Sequence, residues 1–321
     1  MLGAVLSLVS AAFFGLNNAA TRRGVLTASV LQGMAITVPL GLPVFVLFLP
    51  FFGGFSEIFG LSRQAVLWLA AAGVVHFVIG RYGNYRATQA LGATLSTPVQ
   101  QLSILVSLVL AIAILGEVMT GLKVIGLLLV LAGPGIVLAR RKAGKKKAAQ
   151  LKFTPEYGPG FFWGAVCALG YGVSPVMITV GMGDARSIPV ALAGIIVSYA
   201  AATVVVAIMV ALAGGRSYMT GMGRGAIGWF LLSTVCVALS QMLRYMALAV
   251  APVSVVVPIQ RLSVLFRLVF GVLINRESEV LDGAVIIGII LAVVGAVALA
   301  IDAETVRVMA IGLPDWLLRD W

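Results

Sequence analysis

Long apolar runs separated by short polar punctuation fill this chain. With Gly, Pro and charge clusters taken as breaks, five runs fall near 2–21, 28–51, 65–89, 93–115 and 120–139. Five more fall near 159–181, 187–213, 225–249, 252–274 and 279–301. Each is close to the ~20 residues that carry a helix across a bilayer. The pattern predicts an all-α polytopic membrane protein with about ten transmembrane helices. The first run is read as a membrane helix and not a signal peptide, because its basic pair, Arg22 and Arg23, follows the apolar stretch instead of preceding it. The tail from 302 to 321 reads either as a short interfacial helix or as a disordered end.

The two sets of five runs resemble each other residue by residue. "TPVQQLSILVSLVLAIAILGE" (97–117) aligns without gaps on "VPIQRLSVLFRLVFGVLINRE" (257–277). Pro98, Gln100, Leu102, Ser103, Leu105 and Glu117 thereby fall on Pro258, Gln260, Leu262, Ser263, Leu265 and Glu277. Tyr85 falls on Tyr245 in the same register, and near the starts of the halves Gly15 falls on Gly172. Five spans is an odd number, so the second copy must enter the membrane upside down. Inverted repeats of this kind belong to alternating-access carriers, with the site near the midplane between the copies.

These motifs carry a family resemblance. Each half has "P-[VI]-Q-x-L-S" and then an acidic residue closing the next helix, and "LGEVMTGLKVIGLLLVLAG" (115–133) follows in the first half. In this the chain resembles the drug/metabolite transporter superfamily, in its ten-helix branch with two EamA domains. The resemblance implies an EamA-like repeat at 1–139, a basic linker at 140–158, a second repeat at 159–301 and a tail at 302–321. It also implies a secondary carrier of small metabolites, often an exporter. The substrate cavity would be lined by the first, third and fourth helices of each copy.

Polar residues inside the apolar runs are the candidates for a site. Every carboxylate lies at a helix end, in a loop or in the tail, which disfavours proton-coupled export of cations through a mid-membrane acid. Cations behave differently: Arg81 and Arg244 lie in the third spans, Arg261 and Arg267 in the ninth. An arginine at that depth costs several kcal/mol, so it either faces a wet cavity or is absorbed by a partner or a freed carbonyl. Helical spacing puts Gln260, Ser263 and Arg267 on one face, with Arg261 beside it. Gln100, Ser103 and Ser107 repeat the stripe in the first copy, with Gln101 as the counterpart of Arg261. Asn84, Tyr85, Tyr245 and Asn17 complete the candidate substrate-binding set, the tyrosines being equally readable as interfacial anchors.

Pro98 and Pro258 each remove a helix hydrogen bond, and Asn17–Asn18 and Ser174–Pro175 form aligned polar breaks. Pro98, Pro175 and Pro258 are therefore candidate helix breaks near the midplane, with a packing kink as the alternative. His76 is the only histidine and is read either as a proton-coupling group or as a packed hydrogen-bonding residue. Glu117 and Glu277 are expected to cap the helix that follows each.

Composition sharpens this reading. Of 321 residues 61% are hydrophobic and 10% charged, against about 25% charged in soluble domains. The net charge of +11 sits largely in "ARRKAGKKKAAQLK" and short turns, so it argues for positive-inside topology and not for nucleic acid. That bias places the linker in the cytoplasm, where 140–152 can meet anionic lipid headgroups, and both termini outside. A bacterial inner (plasma) membrane is the expected location. Cys167 and Cys236 lie in apolar runs with no metal or disulfide spacing, and no cofactor is expected. The preferred function is transport of an anionic or zwitterionic small solute. A membrane enzyme on a lipid-linked substrate and a non-transporting receptor or scaffold stand as alternatives, and the oligomeric state, a homodimer included, is open.

Overall fold

The computed structural model describes residues 1–25, 27–143 and 156–274, with isolated positions between 287 and 299. Most of the linker, Glu277, most of the tenth span and the tail lie outside the described residues. The elements are α1 (Leu2–Val25), α2 (Val30–Thr37), α3 (Gly41–Phe52), α4 (Phe55–Gly60) and α5 (Arg63–Gly73), then a π-helical segment (Val74–Gly80). After it come α6 (Arg81–Leu115), α7 (Gly121–Ala143), α8 (Tyr157–Met182), α9 (Ile188–Leu212) and α10 (Arg216–Thr220). The last described are α11 (Arg224–Val250), α12 (Val253–Gln260) and α13 (Ser263–Ile274). Among the described residues six helical runs are long and apolar enough to cross a membrane: Leu2–Val25, Val30–Phe52, Arg63–Ala90, Tyr157–Met182, Ile188–Leu212 and Arg224–Val250. Val99–Leu115 and Gly121–Ala132 are shorter apolar helices. The protein is an all-α polytopic membrane protein.

Although α6 is numbered as one element from Arg81 to Leu115, it holds parts of two spans. A straight helix would separate Ala87 from Val99 by about 18 Å. Both nevertheless touch Gly164, at 3.9 and 2.9 Å from where its Cβ would stand. Along α8 from Gly164 to Gly172 the neighbours fall from Ala87 to Gly80 and rise from Val99 to Val106. The two halves of α6 therefore run antiparallel, as the separate third and fourth runs predict.

Small residues let the helices approach, since lipid supplies no hydrophobic drive for helix to meet helix. Helix α1 packs antiparallel to α11, with Gly3 on Ala251 and Gly24 on Phe230, while Gly15 sits on Phe266 of α13. Helix α8 packs in the mirrored way, with Gly170 on Gly80 and Gly172 on Val106. Gly15 is the sequence counterpart of Gly172, and Phe266 that of Val106. The same contact thus occurs twice, each time between the first helix of one copy and the fourth of the other.

The copies are also inverted. Gly24 and Gly33 both lie on the Phe230 ring, so the chain reverses between α1 and α2. Helix α3 runs antiparallel to α9, with Gly41 on Tyr199 and Gly54 on Leu192. Helix α9 runs parallel to α5, with Leu69 on Gly194 and Gly73 on Ser198. As α8 is antiparallel to the span that begins with α5, it crosses in the sense of α2 and α3, opposite to α1.

The three proline positions behave differently. The Asn17–Asn18 step lies inside continuous α1, and Pro175 lies inside continuous α8, where Thr179 Oγ1 donates to its carbonyl at 3.0 Å. Pro98 stands at the end of the reversal between Ala87 and Val99, where the fourth span begins. Pro258 is followed by a true break, displaced to Arg261–Leu262 between α12 and α13. There the bonds tighten to the three-residue spacing, Leu262 N to Ile259 O at 3.0 Å and Leu265 N to Leu262 O at 2.8 Å. The other irregularity, the π-helical segment around His76, had no proline to announce it.

Candidate functional site

The break in the ninth span and the π segment in the third face the same region of the core. A narrow, nearly closed cleft of about 310 Å³, lined mainly by polar residues, lies there between the copies. Phe14 and Asn18 line it from α1, Asn84, Gln100 and Gln101 from α6, and Tyr171 from α8. Arg261, Ser263, Val264 and Arg267 line it from the broken ninth span. Its depth follows from the helix directions: Asn18, Asn84, Gln100 and Arg267 all lie in the halves of their spans nearest the linker.

Arg261 stands at the centre. Its guanidinium carbon lies over the Tyr171 ring, 5.3 Å from the centroid, a cation–π contact. No side-chain hydrogen bond or ion pair of Arg261 is found among the described residues. Because the chain leaves helical geometry just before Ser263, the phase of the helix resets. Arg261, Ser263 and Arg267 turn to the cleft, while Gln260 turns to α1 and donates to Ser10 Oγ at 3.1 Å. A regular helix would have kept Gln260 on the stripe and Arg261 beside it.

Beyond Tyr171 lies a second, fully buried cluster. The His76 ring packs on Tyr171 with centroids 4.4 Å apart, and its Nδ1 lies 2.7 Å from Ser174 Oγ. Arg244 Nη1 approaches the His76 ring nitrogens at 3.1 Å and donates to Gln241 Oε1 at 3.1 Å. Its Nη2 donates to Ser174 Oγ at 3.2 Å, and its Nε is buried without a partner. Guanidinium nitrogens only donate, so His76 serves Arg244 as the acceptor; an imidazolium would have no lone pair to offer.

Arg81 is held elsewhere, donating to Tyr199 OH at 3.2 Å and Thr37 Oγ1 at 3.4 Å and lying over Phe77 at 5.3 Å. Tyr245 donates to Ser198 Oγ at 2.8 Å, away from the cleft, and Tyr85 is buried. Ser103 is buried and donates to Gln100 O at 2.8 Å.

Asn17 is corrected from a binding residue to a packing one. Its Oδ1 accepts from Ser233 Oγ at 2.6 Å and Thr21 Oγ1 at 3.3 Å, inside the α1–α11 contact. Asn18, one residue on and about 100° round the helix, is the one that reaches the cleft. Glu117 is a cap, as expected, but not of the helix that follows it. Its Oε1 and Oε2 accept from Val253 N at 2.7 Å and Ser254 N at 2.8 Å, closing the start of α12 in the other copy. Among the described residues no group of three His, Cys, Asp or Glu side chains could hold a metal ion.

Comparison with known proteins now bears on this arrangement. Residues 1–139 match the EamA-like transporter family. This stretch is an EamA domain. It supplies α1 and α6 to the cleft, and the drug/metabolite transporter resemblance read from the sequence is consistent with it. No curated protein matches the chain. One solved crystal structure superposes with a TM-score of 0.70 at 18% identity, covering 97% of this chain and 98% of that one, which shows a shared fold. The EamA domain thus sits within a fold that extends over the whole chain.

Proposed function

We propose that this protein is a secondary transporter of a small organic anion, working by alternating access between the two copies. EamA membership supports a membrane transporter of small molecules. The observation that supports the anionic substrate is Arg261, a guanidinium at a helix break with a ring beneath it and no carboxylate among the described residues that line the cleft. A cation in the membrane interior is expected to meet water or an opposite charge, and a loaded carboxylate or phosphate ester supplies the charge. The amides of Asn18, Asn84, Gln100 and Gln101 can hydrogen-bond either the anion or hydroxyl groups beside it. The linker-side cleft suits loading from the cytoplasm and hence export, with the termini outside and the inner (plasma) membrane as location.

The test is uptake into proteoliposomes of labelled pyruvate, citrate and glycerol 3-phosphate. Arg261→Gln, which copies Gln101, should lower uptake of the preferred anion about 10- to 100-fold, the scale of one charged hydrogen-bonding group. Arg261→Lys should recover part of it, since an ammonium lacks the bidentate fork. Wild-type uptake by a folded Arg261→Gln protein would refute the anion reading.

A further inference from the structure

The packing symmetry that relates the copies also relates the cleft to the buried cluster beyond it. Asn84 has Arg244 as its counterpart, Gln101 has Arg261, and Ser107 has Arg267. On the linker-facing side the cleft is lined by Asn84, Gln101, Arg261 and Arg267. Exchanging the two copies turns this set into Arg244, Arg261, Gln101 and Ser107, on the opposite side of the midplane. In the structure that second place is shut. Arg244 is 1% exposed, with its terminal nitrogens on His76, Gln241 and Ser174 and its Nε unpartnered.

The contacts that hold Arg244 come from both copies. His76 belongs to the first copy, whereas Ser174, Gln241 and Arg244 belong to the second. Rocking one copy against the other, the motion inverted repeats perform, would pull His76 away from the guanidinium. The Nε, buried and without a partner among the described residues, is a donor that a ligand can still take up.

We propose that Arg244 is the second anion-binding arginine of the state open to the face opposite the linker, and that His76 and Ser174 hold it in reserve in the state seen here. Arg261 serves both states. Arg267 joins it on the linker side and Arg244 on the other, so the anion is handed from one arginine pair to the next. The inference rests on the transport reading above.

Sided proteoliposomes test it, using whichever of pyruvate, citrate and glycerol 3-phosphate the wild type exchanges best. Arg267→Ser, copying Ser107, should raise KM at the linker face tenfold or more and leave KM at the opposite face within twofold. Arg244→Asn, copying Asn84, should do the reverse. An Arg244→Asn protein whose opposite-face KM is unchanged, or whose KM rises equally at both faces, overturns the proposal. If Arg244→Asn does not fold, Arg244→Lys is read the same way, with a smaller rise expected at the opposite face alone and an unshifted KM there as the refutation. A wild type that exchanges none of the three anions would instead sink the transport reading itself.

Discussion

The two copies share a scaffold and differ where they meet the cleft. Their first helices make the same glycine contact, Gly15 on Phe266 and Gly172 on Val106. Their fourth spans do not match: the first is helical through Gln100 and Gln101, while the second breaks at Arg261. Their third spans differ in the other direction, for the first carries the π-helical segment and the second, α11, is regular. Charge alternates as well, with Arg81 opposite Gln241 but Asn84 opposite Arg244. Positions that pack helix on helix are thus alike, and positions that face polar space have diverged into cation on one side and amide on the other. A symmetric fold in this way encloses an asymmetric, positively charged site.

The largest expected effect breaks the shared part of that comparison. A Cβ at Gly15 would stand 2.8 Å from Arg267 N and 2.9 Å from Phe266 C, which are backbone atoms that cannot turn aside. A Cβ at Gly172 would meet Val106 Cβ at 2.5 Å and Ser103 O at 3.0 Å. Overpacking of this kind costs about 1–3 kcal/mol per added group, and more when only backbone can yield. Gly15→Leu should therefore abolish folded protein, and Gly15→Ala should lower the melting temperature in detergent. Gly172→Ala should lower it less, because it meets one backbone atom, Ser103 O at 3.0 Å, where Gly15→Ala meets two that are closer. Equal melting temperatures for the two alanine variants would show that the two contacts are equivalent in compliance as well as in place.

Next in size is the cap that ties the copies together. Glu117 accepts two backbone N–H bonds at the start of α12, the helix that carries Pro258 to the break. Charge-assisted caps are worth about 1–2 kcal/mol. Glu117→Ala should lower stability on that scale, and Glu117→Gln, which keeps one acceptor, by less. Hydrogen exchange of the Val253 and Ser254 amides gives the local reading; unchanged protection in Glu117→Ala would remove the cap from the account.

How far the sequence made this legible depends on distance along the chain. The apolar spans among the described residues follow from local pattern, because each must be apolar and about 20 residues long. The arginines of the ninth span were legible by their cost in lipid, and Pro258 announced a break nearby. What the local pattern could not supply was the phase of the helix after that break, which moved Gln260 out of the cleft and Arg261 into it. The π segment was equally hidden. It lies between Gly73 and Gly80, whose tight neighbours Ser198 and Tyr171 come from the second copy, so its geometry depends on residues far away in sequence. Glu117 looked like a cap on its own, but the helix it caps begins at Val253.

The smallest effects separate two adjacent residues of α1 that the sequence treated together. Asn17 is 2% exposed and its Oδ1 accepts from Ser233 and Thr21, whereas Asn18 is half-buried and faces the cleft. Interhelical hydrogen bonds in membranes are worth about 0.6 kcal/mol on average, with a maximum near 1.7. Asn17→Ala should therefore lower stability by about 1 kcal/mol and leave the KM for the transported anion almost unchanged. Asn18→Ala should leave the melting temperature unchanged and raise that KM by a factor of about 2 to 10, the loss of one neutral hydrogen bond to substrate. The pair is informative because it asks which face of α1 carries the chemistry. If Asn17→Ala shifts KM and Asn18→Ala shifts only stability, then α1 is rotated in the working protein relative to the arrangement described, and the cleft is lined by the other face of the helix.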